Sequence, residues 1–219
     1  MNGEPVDLAI KRAPRQKRAV ETYERILDVT TRLLSEIGVE RISTNLIAAK
    51  AGIKVPTLYR YFPNKYAVLM ALGQRLMARQ NTVIVEWLAR TGETGQPDAL
   101  IEDIHFLIEH TIKVTQAEPG ALQIMLAMRA VPKLQDIRLE SHRLMTDALT
   151  ERIALRLPGE TKEDLWPRLR LSVELVYAAI EMTLEEPRVD AKTVTDATSA
   201  QIQAYWRLWL QRLEGKTEG

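Results

Sequence analysis

Cysteine is absent from the 219 residues. That removes disulfides, thiolate zinc sites and a cysteine nucleophile in one step. No apolar run approaches the roughly 18 residues that a membrane-spanning helix needs; the longest candidate, Leu171 to Leu184, is cut by Glu174 and Glu181. The first 20 residues are polar and basic, with no apolar stretch of the kind a secretory leader carries. Repeats, low-complexity segments and alternating strand patterns are missing as well. So are the usual enzyme signatures: there is no Gly-x-Ser-x-Gly, no phosphate loop and no His/Glu metal spacing. Carboxylate neighbours such as Glu102 and Asp103 fall on different sides of a helix and read as solvated surface. No metal or cofactor is expected, and an enzyme is not the expected class.

What remains is a chain with 46% apolar and 27% charged residues, the composition of a globular protein. The net charge of +1 hides an asymmetry. Residues 1–65 hold twelve Lys/Arg against seven Asp/Glu, a charge of +5; the rest holds eighteen against twenty-two, a charge of −4. A basic head on a slightly acidic body suits a protein that meets a polyanion at one end, although chance clustering gives a modest excess of the same size.

Helical punctuation divides the chain into about nine helices. Val20, Tyr23, Leu27, Thr30, Leu34 and Ile37 recur at helical spacing from Arg15 to Ile37, with Gly38 at the stop. Thr44 to Ala51 is a short second helix ended by Gly52, and Pro56 to Tyr61 a shorter third. Asn64 caps a long fourth helix through Val68, Leu69, Leu72, Leu76, Val83 and Trp87. A loop over 91–97 precedes one helix from Asp98 to about Gln116. Ala121 to Ala130 follows. Pro132 then opens a helix to about Leu157, Thr161 caps one ending near Glu186, and Asp190 caps the last, ending near Leu213.

The chemistry concentrates between Ser43 and Lys65. Two short helices joined at Gly52 can cross steeply through Leu46, Ile47, Ala51, Ile53 and Leu58, with Ala48 and Ala51 small enough for close approach and Gly52 free to take positive φ. The second of them offers Lys54, Val55, Pro56, Thr57, Tyr59, Arg60 and Tyr61 to a major groove about 12 Å wide. Thr44 and Lys65 stand at helix N-termini, where hydroxyls, amides and cations meet phosphates.

The pattern Thr44…Ile47-Ala48…Ala51-Gly52-Ile53…Thr57-Leu58-Tyr59-Arg60-Tyr61-Phe62-Pro63-Asn64-Lys65 resembles the signature of the TetR family of bacterial transcriptional regulators, over about residues 20–72. The resemblance implies an all-α, nine-helix architecture: an N-terminal three-helix helix-turn-helix domain, then a larger helical domain for ligand binding and dimerisation. It implies phosphate contacts from Thr44, Thr57, Tyr59 and Lys65, and base proximity for Lys54, Val55, Pro56 and Tyr61. It makes Leu46, Ile47, Ala51, Leu58 and Phe62 core. Lys54 departs from the family, which commonly has a Ser or Thr cap there. Because lysine cannot cap and Pro56 biases its predecessor toward extended backbone, the third helix is expected to start at Pro56 with Val55 as N-cap. Asn45 and Tyr66 also depart, where basic and acidic residues respectively are common.

The expected organisation is a basic arm over 1–16, the helix-turn-helix over 17–63, an effector and dimerisation domain over 64–214, and a disordered tail over 215–219. In the arm and just beyond it, Lys11, Arg12, Arg15, Lys17 and Arg18 read either as backbone contacts or as a solubilising tail. Ile202, Tyr205, Trp206, Trp209, Leu210 and Leu213 crowd one face of the last helix, as at a dimer interface; ordinary intrachain core is the alternative. Trp87, His105, Phe106, His110, Met125, Met128 and Tyr177 are candidates to line an effector pocket, again with core as the alternative. His105 and His110 are five apart and do not share a helix face. The expected protein is a cytoplasmic bacterial dimer, nucleoid-associated when bound. It reads a palindromic operator in double-stranded DNA and is released by a small, largely apolar effector. A helical scaffold with an idle DNA head is the rival.

Overall fold

The computed structural model describes residues 16–90, 97–155, 157 and 160–217. The arm residues up to Arg15, most of the 91–97 loop and the last two residues lie outside that range. Among the described residues the fold is entirely α-helical. In order the helices are α1 (Lys17–Arg41), α2 (Thr44–Lys50), α3 (Val55–Tyr59), α4 (Lys65–Arg90), α5 (Pro97–Glu102), α6 (Ile104–Gln116), α7 (Ala121–Ala130), α8 (Pro132–Ala154), α9 (Lys162–Glu185) and α10 (Ala191–Thr217). The single helix expected from Asp98 to Gln116 is thus two, divided at Asp103, whose carboxylate turns out to Arg90 (Nε–Oδ2 3.1 Å). Neither Gly nor Pro marks this break, so nothing in the local pattern announces it. Further along, α8 stops three residues short of Leu157. Helix α10 runs past Leu213 to Thr217, into the stretch expected to be a disordered tail.

The helix ends follow from capping chemistry. The Ser43 hydroxyl accepts from the Leu46 amide (3.2 Å) to start α2. Asn64 Oδ1 accepts from the Ala67 amide (3.0 Å) for α4, Thr161 from Asp164 (3.2 Å) for α9, and Asp190 from Thr193 (2.9 Å) for α10. Each side chain satisfies an amide that the helix itself leaves unpaired. Gly38, at φ 74°, breaks α1 before its last turn.

The chain forms two compact units. The first comprises the described residues through Met77 together with Ala117–Arg138. Its core is aliphatic around one aromatic: Ile26, Leu27, Leu34, Ile47, Leu58 and Phe62 are essentially inaccessible. Tyr23 stacks on Phe62 (ring centroids 5.0 Å). Helix α7 is pressed onto α1. Gly120, at φ 69°, lies so close that an added Cβ would stand 2.7 Å from the Thr31 carbonyl oxygen. Beside it, Arg75 of α4 holds Asp28 of α1 at 2.8 Å and the deeply buried Glu118 at 2.7 Å, with Glu24 at 3.4 Å. Burial opposes the Arg75 charge, but the bonds to Asp28 and Glu118 outweigh it and raise the pKa above the ordinary value.

The second unit comprises Ala78–Gln116 and the residues from Leu139 onward. Helices α6, α9 and α10 pack together there, with α5 against α10. Trp206 and Trp209 of α10 are 5% and 8% exposed and meet edge to face at 5.3 Å. The Trp206 indole donates to the Ser172 hydroxyl of α9 (3.0 Å). Ile202, Trp206 and Trp209, expected at an interface with intrachain core as the alternative, are buried within the chain itself. Tyr205 remains partly exposed and accepts from Arg168 (2.7 Å), and Leu213 is half-buried. The apolar side chains that α9 and α10 do present outward are Leu171 (58% exposed), Leu175, Met182 and Leu208 (51% exposed).

Candidate functional site

The turn between α2 and α3 is built by backbone bonds. Ile53 donates to the Ala48 carbonyl (3.0 Å) and Gly52 to Ala49 (3.2 Å), a Schellman pair around Gly52 at φ 64°. Helix α3 then starts one residue earlier than expected. Lys54 is the N-cap with extended backbone, Val55 is the first helical residue and Pro56 the second. The reason is that the Lys54 carbonyl accepts from both Thr57 (2.8 Å) and Leu58 (3.3 Å). Proline costs nothing at the second position, because that amide has no partner inside the helix either. Ile47, Ala48, Ala51 and Leu58 fill the crossing, whereas Leu46 and Ile53, expected in the core, are half-buried.

The edge left facing outward carries the residues expected to meet DNA. Lys54, Pro56 and Arg60 are exposed, and Tyr59 is 42% exposed. Val55, Thr57 and Thr44 are half-buried. Thr44 and Tyr59, fifteen residues apart, share a hydrogen bond between their hydroxyls (3.2 Å), so the fold brings α2 and α3 to one oxygen-bearing edge. Lys65 is placed apart from that pair: its ammonium donates to the Val39 carbonyl (3.4 Å) and lies 5.6 Å from the Tyr66 ring centre. Tyr61 is half-buried and meets Tyr23 edge-on (6.3 Å), a partner that local sequence does not reveal. Lys17 and Arg18 open α1 and are exposed.

The pocket candidates separate. Trp87 and Tyr177 line apolar cavities in the second unit. His105 does not: it sits at the surface with Nε2 3.0 Å from Asp196. Phe106 and His110 stack on each other (3.8 Å), with the Arg90 guanidinium 4.0 Å from the Phe106 ring. Met125 and Met128 belong to the first unit, where Met128 packs against Gly73 of α4. The sequence reading missed His142. It is fully buried, with Nδ1 3.2 Å from Glu174 and its ring stacked 3.8 Å from Tyr177. Nothing in the spacing of residues 142, 174 and 177 signals this, since the three come from two helices.

An all-helical chain with this turn and edge is a helix-turn-helix DNA-binding protein. Comparison with known proteins makes the class specific. The family described as bacterial regulatory proteins, tetR family, matches residues 26–72, and the tetracyclin repressor-like C-terminal domain matches residues 95–205. The chain therefore belongs to the TetR family of transcriptional regulators. It is 28% identical to the fatty acid metabolism regulator protein of Bacillus subtilis, over 78% of this chain and 84% of that one. It is 29% identical to the nucleoid occlusion factor SlmA of Pasteurella multocida, over 51% and 54%, so the match spans about half the length of that relative. The class D tetracycline repressor of Escherichia coli matches at 40% over 26% of this chain and 27% of its own. Among solved structures, the fatty acid degradation regulator FadR of Bacillus halodurans superposes with a TM-score of 0.64 at 18% identity, covering 87% of this chain and 97% of that one. A Streptomyces coelicolor TetR-family regulator gives 0.59 at 24%, over 88% and 99%. All of these relatives but SlmA are named as regulators or repressors, and no helix among the described residues is long and apolar enough to cross a membrane.

Proposed function

We propose that the protein is a ligand-responsive repressor that binds a palindromic operator as a dimer and is released by a small, largely apolar effector. The observation that carries the DNA reading is the α2–α3 edge, where the Thr44–Tyr59 hydroxyl pair adjoins exposed Lys54 and Arg60. Thr44, Thr57, Tyr59, Arg60 and Lys65 would hold phosphates, while Lys54, Val55, Pro56 and Tyr61 approach base edges. Two copies would join through the outward face of α9 and α10, where Leu171, Leu175, Met182 and Leu208 lie unburied. Their recognition helices would then stand about 34 Å apart, or a multiple of that distance. The apolar cavities of the second unit support the effector reading, as does similarity to a protein named for fatty acid metabolism. The effector would shift the equilibrium between states of high and low operator affinity, by no more than its differential affinity for the two.

A mobility-shift assay on the DNA flanking the protein's own gene tests this reading. Log affinity should fall linearly with log salt concentration. Tyr59→Ala and Lys65→Ala should weaken all duplexes alike, Lys65→Ala lowering the salt slope by about one, while Lys54→Ala alters sequence preference. Indifference to every duplex at low salt sinks the proposal. In sedimentation, Leu171→Glu with Leu208→Glu should give a monomer.

A further inference from the structure

Helix α3 has five residues, and Tyr61 lies just past its end. One carbonyl secures the backbone there: the Tyr61 and Phe62 amides both donate to Leu58 (2.9 Å each). The two side chains then part. Phe62 turns inward and is inaccessible, whereas Tyr61 is half-buried. No further turn of α3 follows to flank the Tyr61 ring, so its direction is set by what packs against it from elsewhere.

Among the described residues, the ring that meets Tyr61 is Tyr23, in the second turn of α1. The two lie 6.3 Å apart, edge to face, with planes 65° apart, an arrangement that the ring quadrupoles favour. The same Tyr23 ring stacks on Phe62 at 5.0 Å, with planes 28° apart. One side chain thus links an anchored ring to a part-exposed one. Its phenol end lies in a charged setting. Burial raises the Tyr23 pKa, Glu24 raises it further and Arg75 lowers it. Arg75 is already taken by Asp28, Glu118 and Glu24. A phosphate brought to Tyr23 would therefore meet carboxylates, so Tyr23 is poorly placed to touch DNA itself.

We propose that Tyr23 is a positioning residue for operator recognition: without touching DNA, it holds the Tyr61 ring so that the Tyr61 phenol meets a base edge. The inference rests on the DNA reading above and adds to it a residue of α1. A hydrogen bond to a base is lost beyond about 3.5 Å or at an oblique approach. A ring free to swing about its Cα–Cβ bond carries its phenol oxygen out of that range. Tyr23 prevents the swing because Phe62, fully buried, fixes Tyr23 in turn. The device needs the Tyr23 ring and not its hydroxyl.

The full-length protein is used to select a duplex from a randomised pool. Fluorescence anisotropy then measures binding to that duplex and to its single-base-pair variants. Tyr23→Leu keeps apolar bulk but removes the ring. It should weaken the selected duplex about tenfold, as loss of an edge-to-face pair predicts. It should also flatten discrimination at the same base pair as Tyr61→Ala does. Tyr23→Phe should restore both. The salt slope of Tyr23→Leu should equal that of the wild type, because no phosphate contact is lost. In a Tyr61→Ala background, adding Tyr23→Leu should weaken binding by less than about twofold more, whereas a residue that merely stabilised the fold would add its full effect. If Tyr23→Leu fails to fold, Tyr23→Met fills the same space flexibly and makes the same comparison. Additive losses, an unaltered base preference, a lowered salt slope, or a Tyr23→Phe as weak as Tyr23→Leu overturns the inference and leaves the DNA reading standing. If the wild type selects no duplex, the DNA reading falls and the inference falls with it.

Discussion

Where α7 meets α1 the first unit is closely packed; between its helices the second leaves room. On the α1–α7 contact there is no space for a methyl group at Gly120, and a buried carboxylate, Glu118, is held by a guanidinium in van der Waals surroundings. In the second unit, side chains from α4, α6, α8 and α9 stop short of one another and leave two apolar cavities. The difference teaches how one chain serves two tasks. A surface that must match a fixed polymer gains from rigid packing, because interiors at crystal density transmit shape. A region that must admit something else gains from incomplete packing.

Four substitutions sharpen or break this contrast. The largest effect is expected for Arg75→Ala, which takes from Glu118 its guanidinium and should cost about 3–4 kcal/mol in urea denaturation. Arg75→Met combined with Glu118→Gln should recover most of it. Gly120→Ala should cost about 3 kcal/mol, since it places a Cβ against a backbone carbonyl at a φ that L-residues avoid. Third comes an alkaline effect at Tyr177, whose pKa burial pushes up to about 12. The unfolded phenol ionises near pH 10 and the folded one does not, so the unfolded state binds fewer protons between those values. Stability should therefore fall as pH rises from about 10 to about 12, by about 2–3 kcal/mol attributable to this residue, and Tyr177→Phe should remove that component. The smallest effect is expected for Val173→Ile, which adds one methyl beside the second cavity and should change thermal stability by less than about 1 kcal/mol, in the stabilising direction. If Val173→Ile costs as much as Gly120→Ala, the contrast is wrong.

The same contrast governs what could be read without coordinates. Helix starts were legible because capping is local: Asn64, Thr161 and Asp190 each meet an amide three residues ahead. The outward edge was legible because Gly52 and the residues around it define a turn with few solutions. The division at Asp103 was not, because neither Gly nor Pro marks it and the arginine that its carboxylate meets stands thirteen residues back. The cavity lining was not legible either. Its walls come from helices with apolar residues on more than one face, and periodicity does not say which face meets which neighbour. Hence Met128 and Phe106 were plausible liners and Ile104 and Leu149 were overlooked. The two tryptophans of α10 suggested an interface because amphipathic aromatics favour one, but an indole that finds a hydroxyl inside its own chain satisfies the same chemistry.

The bond between the Thr44 and Tyr59 hydroxyls has a consequence for encounter with a partner. Two rotors on different helices are already frozen against each other before any partner arrives. A phosphate oxygen that joins them removes little additional side-chain entropy, so such a contact is preorganised. Removing one hydroxyl sets the other spinning, and Thr44→Val should loosen the hold of Tyr59 even though Tyr59 itself is intact.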